Sequence, residues 1–171
     1  SPTSEENKIT KSTPFGSIDH PFNPLALAMG ADASFVARTM DRDPKHLQAM
    51  LLRTNQHKGA SFLEIYQNCN IFNDGAFDLY TNADTREDHT VWLEHGKPLV
   101  FGQKKDKGIR LDGFTPRVIS LTEEGHSIND VLVHNEQDST LAFILANMTY
   151  SEVLPRPMGV LQNMERSSYE E

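Results

Sequence analysis

The chain has 171 residues, 37% of them apolar, and a formal net charge of −8. That length suits one domain with a real core, and the negative balance opposes a nucleic-acid or anionic-membrane surface, since both need a concentrated basic face. One cysteine excludes an internal disulfide and is usual for a reducing compartment, while no apolar run approaches the roughly 20 residues that span a bilayer.

In chain order, residues 1–22 read as irregular, with Pro2, Pro14, Gly16 and Pro21 and no sustained period. Residues 1–10 have neither a basic n-region nor an apolar h-region, so the expected location is cytoplasmic. The chain starts at Ser1 without a methionine, which raises the expectation of a piece of a longer polypeptide. Asn23-Pro24 is a helix start, with Asn as the cap and Pro at the first helical position; a short apolar helix follows to Gly30. Residues 33–37 (ASFVA) do not alternate and predict a strand buried on both sides.

Asp43-Pro44 repeats the helix signal. Leu47, Met50, Leu51 and Thr54 recur at helical spacing on one face, and Gly59 supplies the stop. The segment 61–66 (SFLEIY) then has the aromatic and β-branched content of a buried strand. Strand, helix, strand with short links predicts a βαβ unit with parallel strands. Further on, residues 91–94 and 99–101 predict a hairpin-like pair, and 117–121 a third strand. Lys104, Lys105, Lys107 and Arg110 form a basic run, read as a solvated turn or as a contact for phosphate or an acidic partner. Residues 127–133 and 139–148 predict helices, the second with Leu141, Ile144, Leu145 and Met148 on one face. From Ser151 onward, prolines and acidic residues predict an extended arm or tail.

Residues 59–75 (GASFLEIYQNCNIFNDG) are the stretch on which chemistry is most readily placed. Cys69 falls just past the end of a predicted strand, where sites gather in open α/β sheets; the alternative is a small buried hydrophobe. No glycine loop for phosphate and no close Cys/His pairing for zinc is present. His20 reads as a loop hydrogen-bonding residue or a base. Glu64 shares a strand face with Phe62 and Tyr66, so it is either paired or at a subunit contact. Asp41-Arg42-Asp43 combines an ion pair with a helix cap.

Phe35-Val36-Ala37-Arg38, Asp41-Arg42-Asp43-Pro44-Lys45-His46-Leu47, His57-Lys58-Gly59 and Gln67-Asn68-Cys69-Asn70-Ile71-Phe72-Asn73-Asp74 come in order and close together. With Lys105-Asp106-Lys107-Gly108-Ile109-Arg110-Leu111 and residues 132–143, this series resembles the carboxyl-terminal half of the beta subunit of 2-oxoacid:ferredoxin oxidoreductases, most closely the 2-oxoglutarate type. The resemblance implies a fold class of α/β: part of a thiamine-diphosphate-binding-type parallel sheet flanked by helices, then a small β-hairpin/helical extension. The implied boundaries are 1–75, 76–150 and a tail at 151–171.

The resemblance also implies an enzyme with thiamine diphosphate, Mg2+ and a 4Fe–4S cluster. It decarboxylates a 2-oxoacid oxidatively, hands the acyl group to coenzyme A (CoA) and passes electrons to ferredoxin. Cys69 matches a distant cluster ligand, Ser1 and Thr3 would lie beside the diphosphate-binding loop, and an alpha subunit is the implied partner. The family's other three cluster cysteines, its Gly-Asp-Gly segment and its asparagine loop are not in this sequence, and one thiolate cannot close a cluster that needs four. The expectation is therefore a fragment, inactive alone. Two alternatives stand beside it: a non-catalytic assembly module that has lost the cofactor half, and a free-standing thiol enzyme that needs a low-pKa Cys69.

Overall fold

A computed structural model describes residues 7, 9, 14–18, 20–71, 73–123 and 125–167. Ser1 and Thr3 lie outside the described residues, as does Asp19. Helix α1 (Pro24–Gly30) starts where Asn23 Oδ1 accepts the Ala26 N–H at 3.1 Å. Strand β1 (Phe35–Met40) is buried along its whole length. Helix α2 (Pro44–Gln56) is capped by Asp43, whose Oδ1 accepts the His46 N–H at 3.0 Å. Its inward face carries Met50, whereas Leu51 is 49% exposed; Leu51 therefore drops off the expected apolar face. Strand β2 (Ser61–Tyr66) pairs with β1 in parallel, Phe35 opposite Ser61 and Met40 opposite Tyr66. The βαβ unit is present as expected.

The parallel sheet expected from the resemblance is corrected to a mixed one. Strands β3 (Thr90–Leu93) and β7 (Arg156–Asn163) complete a four-stranded sheet of order β2-β1-β7-β3. Strand β7 runs antiparallel to β1 and parallel to β3. Strand β2 is consequently an edge, with Ile65 41% exposed, and not the buried strand its composition suggested.

The arm or tail expected from Ser151 is likewise corrected: β7 is an interior strand, buried from Pro157 to Gln162. Pro157 and Gly159 hid it, because both lower strand propensity. Gly159 has φ +120°, and a Cβ there would sit 2.8 Å from the Leu93 carbonyl oxygen. The residue is glycine because β3 passes that close. Opposite Val36 and Ala37 the register shifts, leaving Leu161 as an extra residue on β7.

The expected 91–101 hairpin is split. Strand β3 belongs to the main sheet, whereas β4 (Val100–Phe101) joins β5 (Lys107–Asp112) and β6 (Thr115–Ser120) in a second, antiparallel sheet. The basic run is divided: Lys104 and Lys105 lie in the exposed turn between β4 and β5, whereas Lys107 and Arg110 are on β5. Short helices α3 (Asp78–Thr81) and α4 (Arg86–His89) precede β3. Of the helix expected at 127–133, one 3-10 turn forms, Ile128–Asp130, closed by a Ser127–Asp130 capping box. Helix α5 (Ser139–Asn147) matches expectation: Asp138 caps it, and Leu141, Leu145 and Met148 are buried.

The main sheet is covered on both faces. Val36, Val91 and Leu161 meet α1, α5 and the small sheet through Leu25, Leu145 and Ile109. Phe35, Ala37 and Val160 meet α2 through Met50. At the end of the sheet where β1 and β2 terminate, Met40, Tyr66 and Met158 form a third cluster with Phe77, Tyr80 and Trp92. That cluster is the floor of the site.

Candidate functional site

Strands β1 and β2 end together, and the Asp41 N–H donates to the Tyr66 carbonyl at 2.9 Å. The chain then leaves the sheet through Asn68 and Cys69. Asp41 Oδ2 accepts the Asn68 N–H at 3.3 Å, which ties the outgoing loop to the end of the neighbouring strand. The Asn68 side chain is wholly engaged. Its Nδ2 donates to Asn70 Oδ1 at 2.7 Å and to Asp74 Oδ1 at 2.8 Å, and its Oδ1 accepts the Gly75 N–H at 2.9 Å. The Asn73 N–H donates to the Cys69 carbonyl at 3.0 Å, closing a small bridge. Cys69 itself is exposed. The buried-hydrophobe alternative is thereby corrected: the thiol sits on a loop whose two ends are fastened to one side chain.

The floor beneath the loop is a cation–aromatic stack. Tyr66 stacks on Phe77 with ring centroids 4.3 Å apart. Arg156 of β7 donates to Tyr66 Oη at 2.5 Å and to Tyr80 Oη at 2.6 Å. Burial pushes the Tyr66 phenol up, against the pull of Arg38 and Arg156, so it stays neutral and its oxygen accepts the Arg156 hydrogen bond. Arg38, fully buried, donates to Glu64 Oε2 at 2.6 Å, to the Pro157 carbonyl at 3.2 Å and to Thr149 Oγ1 at 2.7 Å. Of the two expectations for Glu64, pairing is the one observed.

Elsewhere, Lys105 pairs with Glu87 and Lys107 with Asp88, at 3.4 and 2.9 Å. Two cations of the basic run thus fasten the small sheet to α4. Arg42 approaches Asp78 at 4.0 Å, and His20 is exposed ahead of α1. At the opposite end of the main sheet, a cleft of about 470 Å3 is lined by Phe35, Arg53, His57, Lys58, Asn163 and Arg166. There His57 bridges Ser34 Oγ at 2.8 Å and Asn163 Oδ1 at 3.1 Å. Ser34 is 3% exposed, so its hydroxyl is packed and not presented to a substrate. Among the described residues, no three His, Cys, Asp or Glu side chains converge as a metal site, and no helix is long and apolar enough to cross a membrane.

The residues that sequence reasoning left without a role of their own are Asn68, Arg156 and Tyr80, while Asp41, read with Arg42 and Asp43 as an ion pair and a helix cap, accepts the Asn68 N–H. The signal for Asn68 was local: Asn68, Asn70, Asn73 and Asp74 crowd one short loop, and such side chains bond to nearby backbone and to one another. Arg156 had no signal, because its partners lie 90 and 76 residues away.

No protein-family model matches the chain. Over 173 aligned residues, it is 39% identical to the 2-oxoglutarate oxidoreductase subunit KorB of Mycobacterium tuberculosis, covering 100% of this chain and 46% of that protein. Along its whole length the chain is similar to beta subunits of the 2-oxoacid:ferredoxin oxidoreductases. It matches the carboxyl-terminal portion of that subunit. The 2-oxoacid:ferredoxin oxidoreductase beta subunit of Saccharolobus solfataricus is 38% identical over 74 residues, 43% of this chain and 24% of that one. The 2-oxoglutarate synthase subunit KorB of Archaeoglobus fulgidus is 35% identical over 68 residues, 40% of this chain and 26% of that one. The chain spans less than half the length of the curated relatives it matches. A solved 2-oxoglutarate:ferredoxin oxidoreductase from Magnetococcus marinus, with 2-oxoglutarate, coenzyme A and succinyl-CoA bound, superposes with a TM-score of 0.62 at 20% identity, covering 98% of this chain and 42% of that one. At that identity the likeness is one of fold. In this chain, the FVAR segment of the resemblance is the first part of β1, and the Gln67-Asn68-Cys69 segment opens the fastened loop.

Proposed function

We propose that the chain forms the carboxyl-terminal part of the beta subunit of a 2-oxoacid:ferredoxin oxidoreductase, with 2-oxoglutarate as substrate, and that Cys69 is one thiolate ligand of its 4Fe–4S cluster. The observation that carries this reading is an exposed thiol on a fastened loop at the carboxyl end of a strand. It occurs in a chain 39% identical along its length to a 2-oxoglutarate oxidoreductase subunit. The donor set fits the role. A soft thiolate suits iron–sulfur ligation, and the loop that carries it is polar, with Asn68, Asn70, Asn73 and Asp74. Cys69 supplies one of the four thiolates such a cluster requires.

When bound, the cluster moves single electrons toward ferredoxin, and thiamine diphosphate with Mg2+ supplies the decarboxylation whose acyl product passes to CoA. The part assigned to this chain is to hold a thiolate at a set position, to exclude motion of its loop and to build the α/β scaffold that meets an alpha subunit. Ser1 and Thr3 are proposed to lie beside the diphosphate-binding loop. A division into 1–75 as part of the cofactor domain, 76–150 as an extension and 151–171 as a tail has to accommodate β3 and β7, which join β1 and β2 in one sheet.

The test is Cys69→Ser in the full-length subunit, purified with its partner. Iron content should fall and the electron paramagnetic resonance signal of the reduced cluster should be lost, while the secondary structure is unchanged. A variant that keeps its iron and its electron transfer to ferredoxin would remove the ligand role. It would then favour the assembly-module reading, in which this part of the subunit binds a partner and no metal.

A further inference from the structure

One side chain does most of the fastening of the Cys69 loop. Asn68 reaches forward to Asn70, to Asp74 and to the Gly75 backbone, and its own N–H reaches back to Asp41 at the end of β1. The amide thus spans the mouth of the loop from residue 68 to residue 75, with Cys69 the first residue inside it. Both faces of the amide are matched to their partners: Nδ2 meets two acceptors and Oδ1 meets a donor. A carboxylate in its place would set one negative oxygen against Asp74.

We propose that Asn68 is the positioning residue for Cys69: it holds the loop closed so that the thiol is already in place for the cluster and keeps it there when the cluster changes charge. The inference rests on the ligand role proposed for Cys69. Groups that orient a metal's ligands without touching the metal commonly govern affinity by about 10–100-fold, because an ordered ligand loses little conformational freedom on binding. The Arg156–Tyr66–Tyr80 floor keeps the strand end rigid, whereas Asn68 acts on the loop alone. Its loss therefore loosens the thiol without unfolding the sheet.

The experiment uses the holoenzyme containing the full-length subunit, in five forms: unaltered, Cys69→Ser, Asn68→Ala, Asn68→Asp, and Asn68→Asp combined with Asp74→Asn. The readouts are the rate at which a chelator strips iron and the resonance spectrum of the reduced cluster. Asn68→Ala and Asn68→Asp should lose iron at least about tenfold faster and show a broadened or shifted spectrum, with unchanged circular dichroism. The double variant restores a donor–acceptor pair with the two partners exchanged, and it should recover the unaltered rate. A general packing defect would not be repaired by that exchange. If Asn68→Ala fails to fold, the comparison of Asn68→Asp with the double variant decides the matter.

Unaltered iron lability in both single variants, alongside loss of the cluster in Cys69→Ser, overturns the positioning role and leaves the ligand role standing. A Cys69→Ser protein that retains its cluster overturns both.

Discussion

Arg38 shows what a single residue costs and what it organises. A guanidinium with no exposed surface has three partners, of which Glu64 alone carries charge. Taking a charge out of water is offset here by a 2.6 Å charge-assisted bond and two further acceptors. Replacing Glu64 with Leu leaves Arg38 buried and uncompensated. We expect a loss of about 3–5 kcal/mol, read as a lower urea midpoint with an unchanged slope; a change under about 1 kcal/mol would mean that Thr149 and the Pro157 carbonyl suffice. Two histidines make the same scale pH-dependent. Burial pushes His46 down, against the attraction of Asp43, and burial likewise pushes His134 down, against its bond to Val160 and the charge of Glu136. A folded-state value below the ordinary 6.5 means that the unfolded chain takes up protons first. Their contribution is complete above that value and is lost as the pH falls through it. Thermal midpoints should therefore drop between about pH 7.5 and about pH 5.5. His134→Gln should flatten that fall; an equally steep profile would assign the dependence to other groups.

At the scale of elements, local chemistry and burial divide the work. Each of the three longest helices begins at an Asn or Asp whose side chain accepts a backbone N–H three positions on. Such caps are visible in sequence, because the donor and the acceptor are close along the chain. Strands lack that advantage. Strand β7 contains a proline, a glycine at positive φ and a one-residue bulge, each of which argues locally against a strand. It forms because Met158, Val160 and Leu161 are completely buried, each worth about 1.5–3 kcal/mol, and because it pairs on both edges. Strand β2 shows the converse: its composition is that of a core strand, yet it occupies an edge.

For the whole molecule, the consequence is that the end of the chain closes the sheet around which everything else packs. A chain ending at Leu154 loses β7, the strand that joins β1 to β3 in that sheet, together with Arg156 beneath the Cys69 loop. Such a truncation should abolish cooperative thermal unfolding and collapse the dispersion of amide resonances. Retention of both would make β7 dispensable.

By itself, the sequence determined the helix starts at Asn23 and Asp43, the helix from Ser139, the β1–α2–β2 unit and the placement of Cys69 just past a strand. All of these depend on residues close together in the chain, where spacing and side-chain type carry the physics. Tertiary structure alone decided that Arg156–Asn163 is an interior strand and that residues 90–101 divide between two sheets. It also decided that Glu64 is the counterion of Arg38 and that Asn68 fastens the Cys69 loop within reach of Asp41. Each of those outcomes balances burial or charge pairing between distant segments against a local preference. That balance is struck only when the segments meet.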